Sequence, residues 1–171
     1  MFTKPSLFVL ASTGESVFTN MNISNCIGMK SGGVYRIDSG SIINTNSIYD
    51  GIIAYEGGIY QLQNTLQLIT TTCIFNNSYT FHGGVVHCIK TWTISSTSDI
   101  IMNNHMYSRS LIEVGDVSTI TLNGATITSN SAVESTVIEC INGWTLDITG
   151  SSTISLNTAT GNYVVYYCLS W

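Results

Sequence analysis

Charge is scarce in this 171-residue chain: five Lys and Arg and ten Asp and Glu make up 9% of it. Globular domains carry about 25%. The net charge of −5 is scattered, with no basic run, so the electrostatic footprint needed to hold phosphates is missing and nucleic acid is excluded as a partner. No apolar run approaches the roughly 18 residues of a membrane helix, so no membrane span is expected. Proline occurs once, at Pro5, and C-x-x-C does not occur. The three histidines, His82, His87 and His105, sit at no metal-ligand spacing, so neither a metal nor a cofactor is expected. Calcium-binding nonapeptides, paired aspartates and Gly-His motifs are also missing. Low charge here does not mean disorder, because 44% of residues are apolar and β-branched residues abound. The composition is that of strands and turns with little helix.

What is present is a repeat, the first thing to seek in such a chain. Gly32-Gly33, Gly57-Gly58 and Gly83-Gly84 are separated by 25 and 26 residues. Each precedes a short apolar strand: Val34-Tyr35-Arg36-Ile37, Ile59-Tyr60-Gln61-Leu62 and Val85-Val86-His87-Cys88. The last position of this strand forms a column of Leu10, Ile37, Leu62, Cys88, Val114, Cys140 and Cys168, at spacings of 27, 25, 26, 26, 26 and 28. A second column runs through Ile23, Tyr49, Phe75, Ile101, Ile127 and Ile154 at spacings of 26 or 27. Between the columns lie strictly alternating segments such as Thr119-Ile120-Thr121-Leu122, the period of a strand with one buried face.

A unit of about 26 residues cannot bury these positions alone; stacking on its neighbours at about 4.8 Å can. The expected fold is all-β: a right-handed parallel β-helix of roughly six coils with about three strands per coil, forming a single domain over residues 1–171. Leucine-rich repeats and WD40 blades are excluded because their leucine, Gly-His and Trp-Asp cues are missing. Lys4 followed by Leu7-Phe8-Val9-Leu10-Ala11 imitates a signal peptide, but the apolar part is too short and falls in register with the repeat. The chain enters its first strand after six residues and stops within a coil at Trp171, with no capping segment. This fits a piece of a longer solenoid or a rod that stacks end to end.

The Gly-Gly-apolar strand, followed by the segments Ile101-Met102-Asn103-Asn104, Ile127-Thr128-Ser129-Asn130 and Ile154-Ser155-Leu156-Asn157, resembles the repeats of polymorphic outer-membrane proteins and related pectin-lyase-like β-helix repeat proteins. It departs from them where Ile replaces Phe, at Phe75-Asn76-Asn77, and in later coils that lose the glycine pair. The resemblance implies a surface-exposed structural or adhesive role. Fold alone does not give function.

Individual residues add candidate roles. Asn103, Asn130 and Asn157, spaced at 27, are expected to form an amide ladder at a turn, because Asn tolerates left-handed backbone and pairs with its own kind along a stack. One outward column reads Val9, Arg36, Gln61, His87, Glu113, Glu139 and Tyr167, expected as a solvated polar ladder. It sets Glu113 and Glu139 one coil apart, about the carboxyl separation of retaining glycosidases, which makes them the only candidates for catalysis. Cys88, Cys140 and Cys168 are expected as buried thiols, although Cys140 and Cys168 are close enough in the repeat for a bridge. Asn22 and Asn76 head glycosylation sequons. Trp92, Trp144 and Trp171 are candidate sugar platforms. Outward Thr pairs such as Thr119/Thr121 imitate ice-binding arrays, but Lys, Glu, Trp and His interrupt them. The leading expectation is a non-catalytic extracellular or cell-surface solenoid that forms a rod or filament by self-association. The alternative is a carbohydrate-binding or polysaccharide-cleaving β-helix with glycans as partners.

Overall fold

Four parallel sheets, each built by one strand from every coil, account for all the regular structure in a computed structural model of the chain. The structure describes residues 6–161 and 166–168 except 12, 29–31, 91, 117, 135–136 and 143. The first sheet has seven strands in chain order: Phe8–Leu10, Tyr35–Ile37, Tyr60–Leu62, Val86–Cys88, Ile112–Val114, Ile138–Cys140 and Tyr166–Cys168. The second has six longer strands, among them Gly40–Thr45, Thr65–Thr71 and Ser118–Asn123. Six strands of the Ile48–Asp50 and Ile100–Met102 type make the third sheet. The fourth comprises Ile53–Glu56, Tyr79–His82 and four strands of only two residues, such as His105–Met106. The fold is therefore the expected parallel β-solenoid with about 26 residues per coil. A coil holds four strands instead of three.

The fourth strand exists because each coil turns twice through left-handed backbone. One corner precedes the third sheet, at Asn20, Asn46, Thr72, Ser98, Gly124 and Gly150; the other follows it, at Asn25, Gly51, Asn77, Asn103, Ser129 and Leu156. Their φ values lie between 52° and 65°. Asn and Gly occupy most of these positions because they enter this region at least cost. The Gly-Gly pairs serve a third corner. Gly57 has φ 54°, and a Cβ on Gly58 would lie 2.2 Å from the Gly84 carbonyl oxygen, so coil stacks on coil with no room for a side chain.

Both sequence columns point inward. Ile37, Leu62, Cys88, Val114 and Cys140 are buried, as are Ile23, Tyr49, Phe75, Ile101 and Ile127; Leu10 and Ile154 are half-buried. The side chain of Cys168 lies outside the described residues. At one end of the core, aromatic rings stack between coils, with Tyr35 and Tyr60 centroids 5.2 Å apart and Tyr49 and Phe75 5.5 Å apart. Their hydroxyls are satisfied internally: Tyr35 and Tyr49 pair at 2.9 Å, and buried Asn44 donates to Tyr49 and Tyr60. Burying each such side chain contributes roughly 1.5–3 kcal/mol. Among the described residues no helix is long and apolar enough to cross a membrane.

Candidate functional site

The amide ladder runs along the corner after the third sheet, and it passes through Asn104 in place of Asn103. Asn104 donates Nδ2 to Oδ1 of Asn130 at 2.9 Å, and Asn130 does the same to Asn157 at 2.9 Å. The Asn130 oxygen also accepts the Asn104 backbone N–H at 3.0 Å, and Ser78 N–H is held by Asn104 Oδ1 at 3.0 Å. Asn103 sits one residue earlier at φ 54°, where its side chain turns outward. There it donates to Asn76 Oδ1 at 3.1 Å, while Asn76 and Asn77 both donate to Asp50. Of the two sequon asparagines, Asn22 is exposed, whereas the Asn76 amide nitrogen is engaged with Asp50.

The polar column of the first sheet is where chemistry gathers. Backbone pairing sets Val9, Arg36, Gln61, His87, Glu113, Glu139 and Tyr167 in one line, as the spacing requires. The line is not solvated in its middle: Gln61, Glu113 and Glu139 are 1%, 4% and 6% exposed. The preceding corner covers it. Glu56 accepts a hydrogen bond from Gln61 Nε2 at 2.8 Å. One coil further the glycine pair is lost, and Arg109 stands 26 residues after Gly83. Its Nη1 lies 2.8 Å from Oε1 of Glu113 and 3.6 Å from Oε1 of Glu139. His87 Nε2 is 3.6 Å from the same Glu113 oxygen.

These residues flank a cleft of about 370 Å³ lined by Glu56, His82, His87, Arg109 and Glu113, with Ile89 and Ile141 as an apolar wall. Burial raises the Glu113 carboxyl above its ordinary value, against the pull of Arg109. Burial lowers the His87 imidazole, which is therefore neutral at pH 7. Four buried polar atoms here, Glu113 Oε2, Gln61 Oε1 and Nδ1 of His82 and of His87, have no hydrogen-bond partner among the described residues. Natural structures leave few such groups, and they concentrate where a ligand or water is bound. The geometry offers a carboxyl that can hold a proton near neutrality, a second carboxylate one coil away, and a guanidinium tying the two together.

The adjacency of Glu113 and Glu139 was readable from spacing. The flanking Glu56, His82 and Arg109 belong to no column; the one signal for Arg109 is the missing glycine. The Trp92 and Trp144 side chains and Trp171 lie outside the described residues. The Thr pairs stay interrupted, since Thr119 aligns with Thr145 but Thr121 with Asp147. No group of three or more His, Cys, Asp or Glu among the described residues is placed to hold a metal ion.

Comparison with family models, with curated proteins and with solved structures returns no match. The likeness to outer-membrane repeats therefore rests on the motifs alone, and function is argued from geometry.

Proposed function

We propose that this chain is a non-catalytic structural or adhesive β-solenoid, extracellular or cell-surface, acting as a rod that associates with its own kind along the coil axis. The observation that carries this reading is uniformity. All four sheets pair coil to coil in parallel register, so the contact between two coils has the same chemistry as a contact between two stacked chains. Backbone ladders, a dry core and amide ladders resist extension and proteolysis without any moving part. Immunogold labelling of intact, unpermeabilised source cells tests the placement. Label on the surface supports it; label that appears only after permeabilisation refutes it.

The cleft favours a second reading, a carbohydrate-binding or polysaccharide-cleaving β-helix. Glycoside hydrolysis needs one protonated and one ionised carboxyl. Glu113 and Glu139, in unequal surroundings and bridged by Arg109, supply such a pair. A screen of polysaccharides decides it: release of reducing ends that disappears in Glu113→Gln supports cleavage, and release unaffected by that change rules it out.

A further inference from the structure

We infer that the cleft beside the first sheet binds a compact ammonium group, of the kind carried by an amino sugar or a polyamine. This goes beyond a structural role and does not depend on whether the bound molecule is cleaved.

The charges decide the sign of the ligand. Glu56 and Glu113 line the cleft and Glu139 follows Glu113 in the column, against one lining cation, Arg109. That cation is already engaged, 2.8 Å from Glu113 and 3.6 Å from Glu139, so it adds little attraction for an anion. His87 does not restore the balance, because burial keeps its ring neutral. A carboxylate ligand entering here would meet carboxylates of its own sign in a partly desolvated space, where repulsion exceeds its value in water.

The unpartnered atoms decide the hydrogen-bonding character. Glu113 is 4% exposed, lines the cleft, and has an Oε2 without a partner among the described residues. An ionised carboxylate oxygen only accepts. The Gln61 Oε1, similarly unpartnered, also only accepts. With Nε2 of His87 turned toward Glu113, the Nδ1 of a neutral ring is an acceptor as well. An ammonium group is the complement, with three donors and no acceptor. The volume, about 370 Å³, lies at the lower end of small-molecule sites, roughly 300–1,000 Å³. Ile89 and Ile141 provide an apolar flank for the carbon skeleton that bears the amine.

Isothermal titration of the whole chain at pH 7 tests this with four probes: a glucosamine dimer, its N-acetylated counterpart, spermidine and digalacturonate. The expected result is binding of the glucosamine dimer, of spermidine, or of both, with the N-acetylated dimer and digalacturonate at least tenfold weaker. Binding by one ammonium probe alone names its source. Glu113→Gln and Glu56→Gln should each weaken binding tenfold or more, while Glu15→Gln on the second sheet changes nothing. Should Glu113→Gln fail to fold, as judged by circular dichroism, Glu56→Gln at the cleft wall carries the test. Equal binding of the N-acetylated dimer overturns the ammonium site and leaves a saccharide-binding reading standing. Preference for digalacturonate, silence from both ammonium probes, or unchanged affinity in Glu56→Gln also overturns it.

Discussion

Asn104 and Asn130, one coil apart, are joined by a side-chain hydrogen bond of 2.9 Å, and each of their amide groups also serves the backbone. Asn130 Nδ2 donates to the carbonyls of Ile101 and Thr128 besides Asn157, and its oxygen takes the N–H of Asn104. One side chain thus satisfies polar groups in three successive coils. Leaving a buried polar group unpaired costs about 1–3 kcal/mol.

The first prediction follows directly. Asn130→Ala should lower the unfolding free energy by about 3 kcal/mol, since several partners lose their bond together. Asn103→Ala loses only an outward bond and the tolerance of Asn for left-handed backbone, about 1–2 kcal/mol. Urea unfolding of the two variants measures the difference, and equal losses would show that the interior ladder contributes nothing special.

Two corners use residues ill suited to their backbone. Leu156 has φ 55° and is 78% exposed, and exposed Thr72 has φ 56°. Neither buries enough side chain to offset the strain of a non-glycine in this region, about 1–3 kcal/mol. Leu156→Gly and Thr72→Asn should each raise stability by about 1 kcal/mol, read as a higher melting temperature in scanning calorimetry. An unchanged or lower melting temperature for both would contradict the corner assignment.

A third prediction concerns pH. Glu113 has its folded pKa raised above the ordinary 4.5, with burial as the main cause. A carboxyl raised in this way gives its full contribution below the unfolded-state value and loses it as pH climbs through the folded value. Glu113→Gln cannot ionise, so it should gain on the wild type as pH rises from about 4, by at most about 1.4 kcal/mol per pH unit within that window. Buried Asp99, raised for the same reason, is present in both proteins and cancels in the comparison. Denaturant midpoints of the pair from pH 4 to 8 reveal the effect; parallel curves would contradict it.

The thiols give a fourth. Cys73 and Cys88 are 0% and 1% exposed, and burial pushes Cys73 up to about 11 and raises Cys88 further. Cys26 is half-buried, 3.7 Å from the Ser24 carbonyl oxygen. Reaction follows the thiolate, so Cys26 should label with iodoacetamide in the folded protein at pH 8, whereas Cys73 and Cys88 label only after unfolding. Site-resolved mass spectrometry distinguishes these, and native labelling of Cys73 at the Cys26 rate would disprove the dry core.

What the sequence made legible is what repeats at the coil period. The Gly-Gly pairs and the Ile23-to-Ile154 column mark positions where a neighbouring coil leaves no freedom, and they gave the fold. The fourth strand escaped notice because most of its members are two residues long, as in His105–Met106, too short to show alternation. Asn103 and Asn104 are adjacent, and coil lengths of 26 and 27 cannot say which one faces inward; the left-handed corner at Asn103 decides it. The column of Glu113 and Glu139 was readable, its burial was not. That burial depends on Arg109 replacing a corner glycine and reaching over neighbouring coils, a side-chain geometry with no trace in periodicity.

The central claim is that this chain is a unit of an elongated, coil-stacked rod. Cryo-electron microscopy of the native material from which it comes tests this most directly. The account predicts continuous rods with a polygonal section of four sheet faces and an axial repeat in whole multiples of about 4.8 Å. Isolated particles no longer than the coils of a single chain would contradict it.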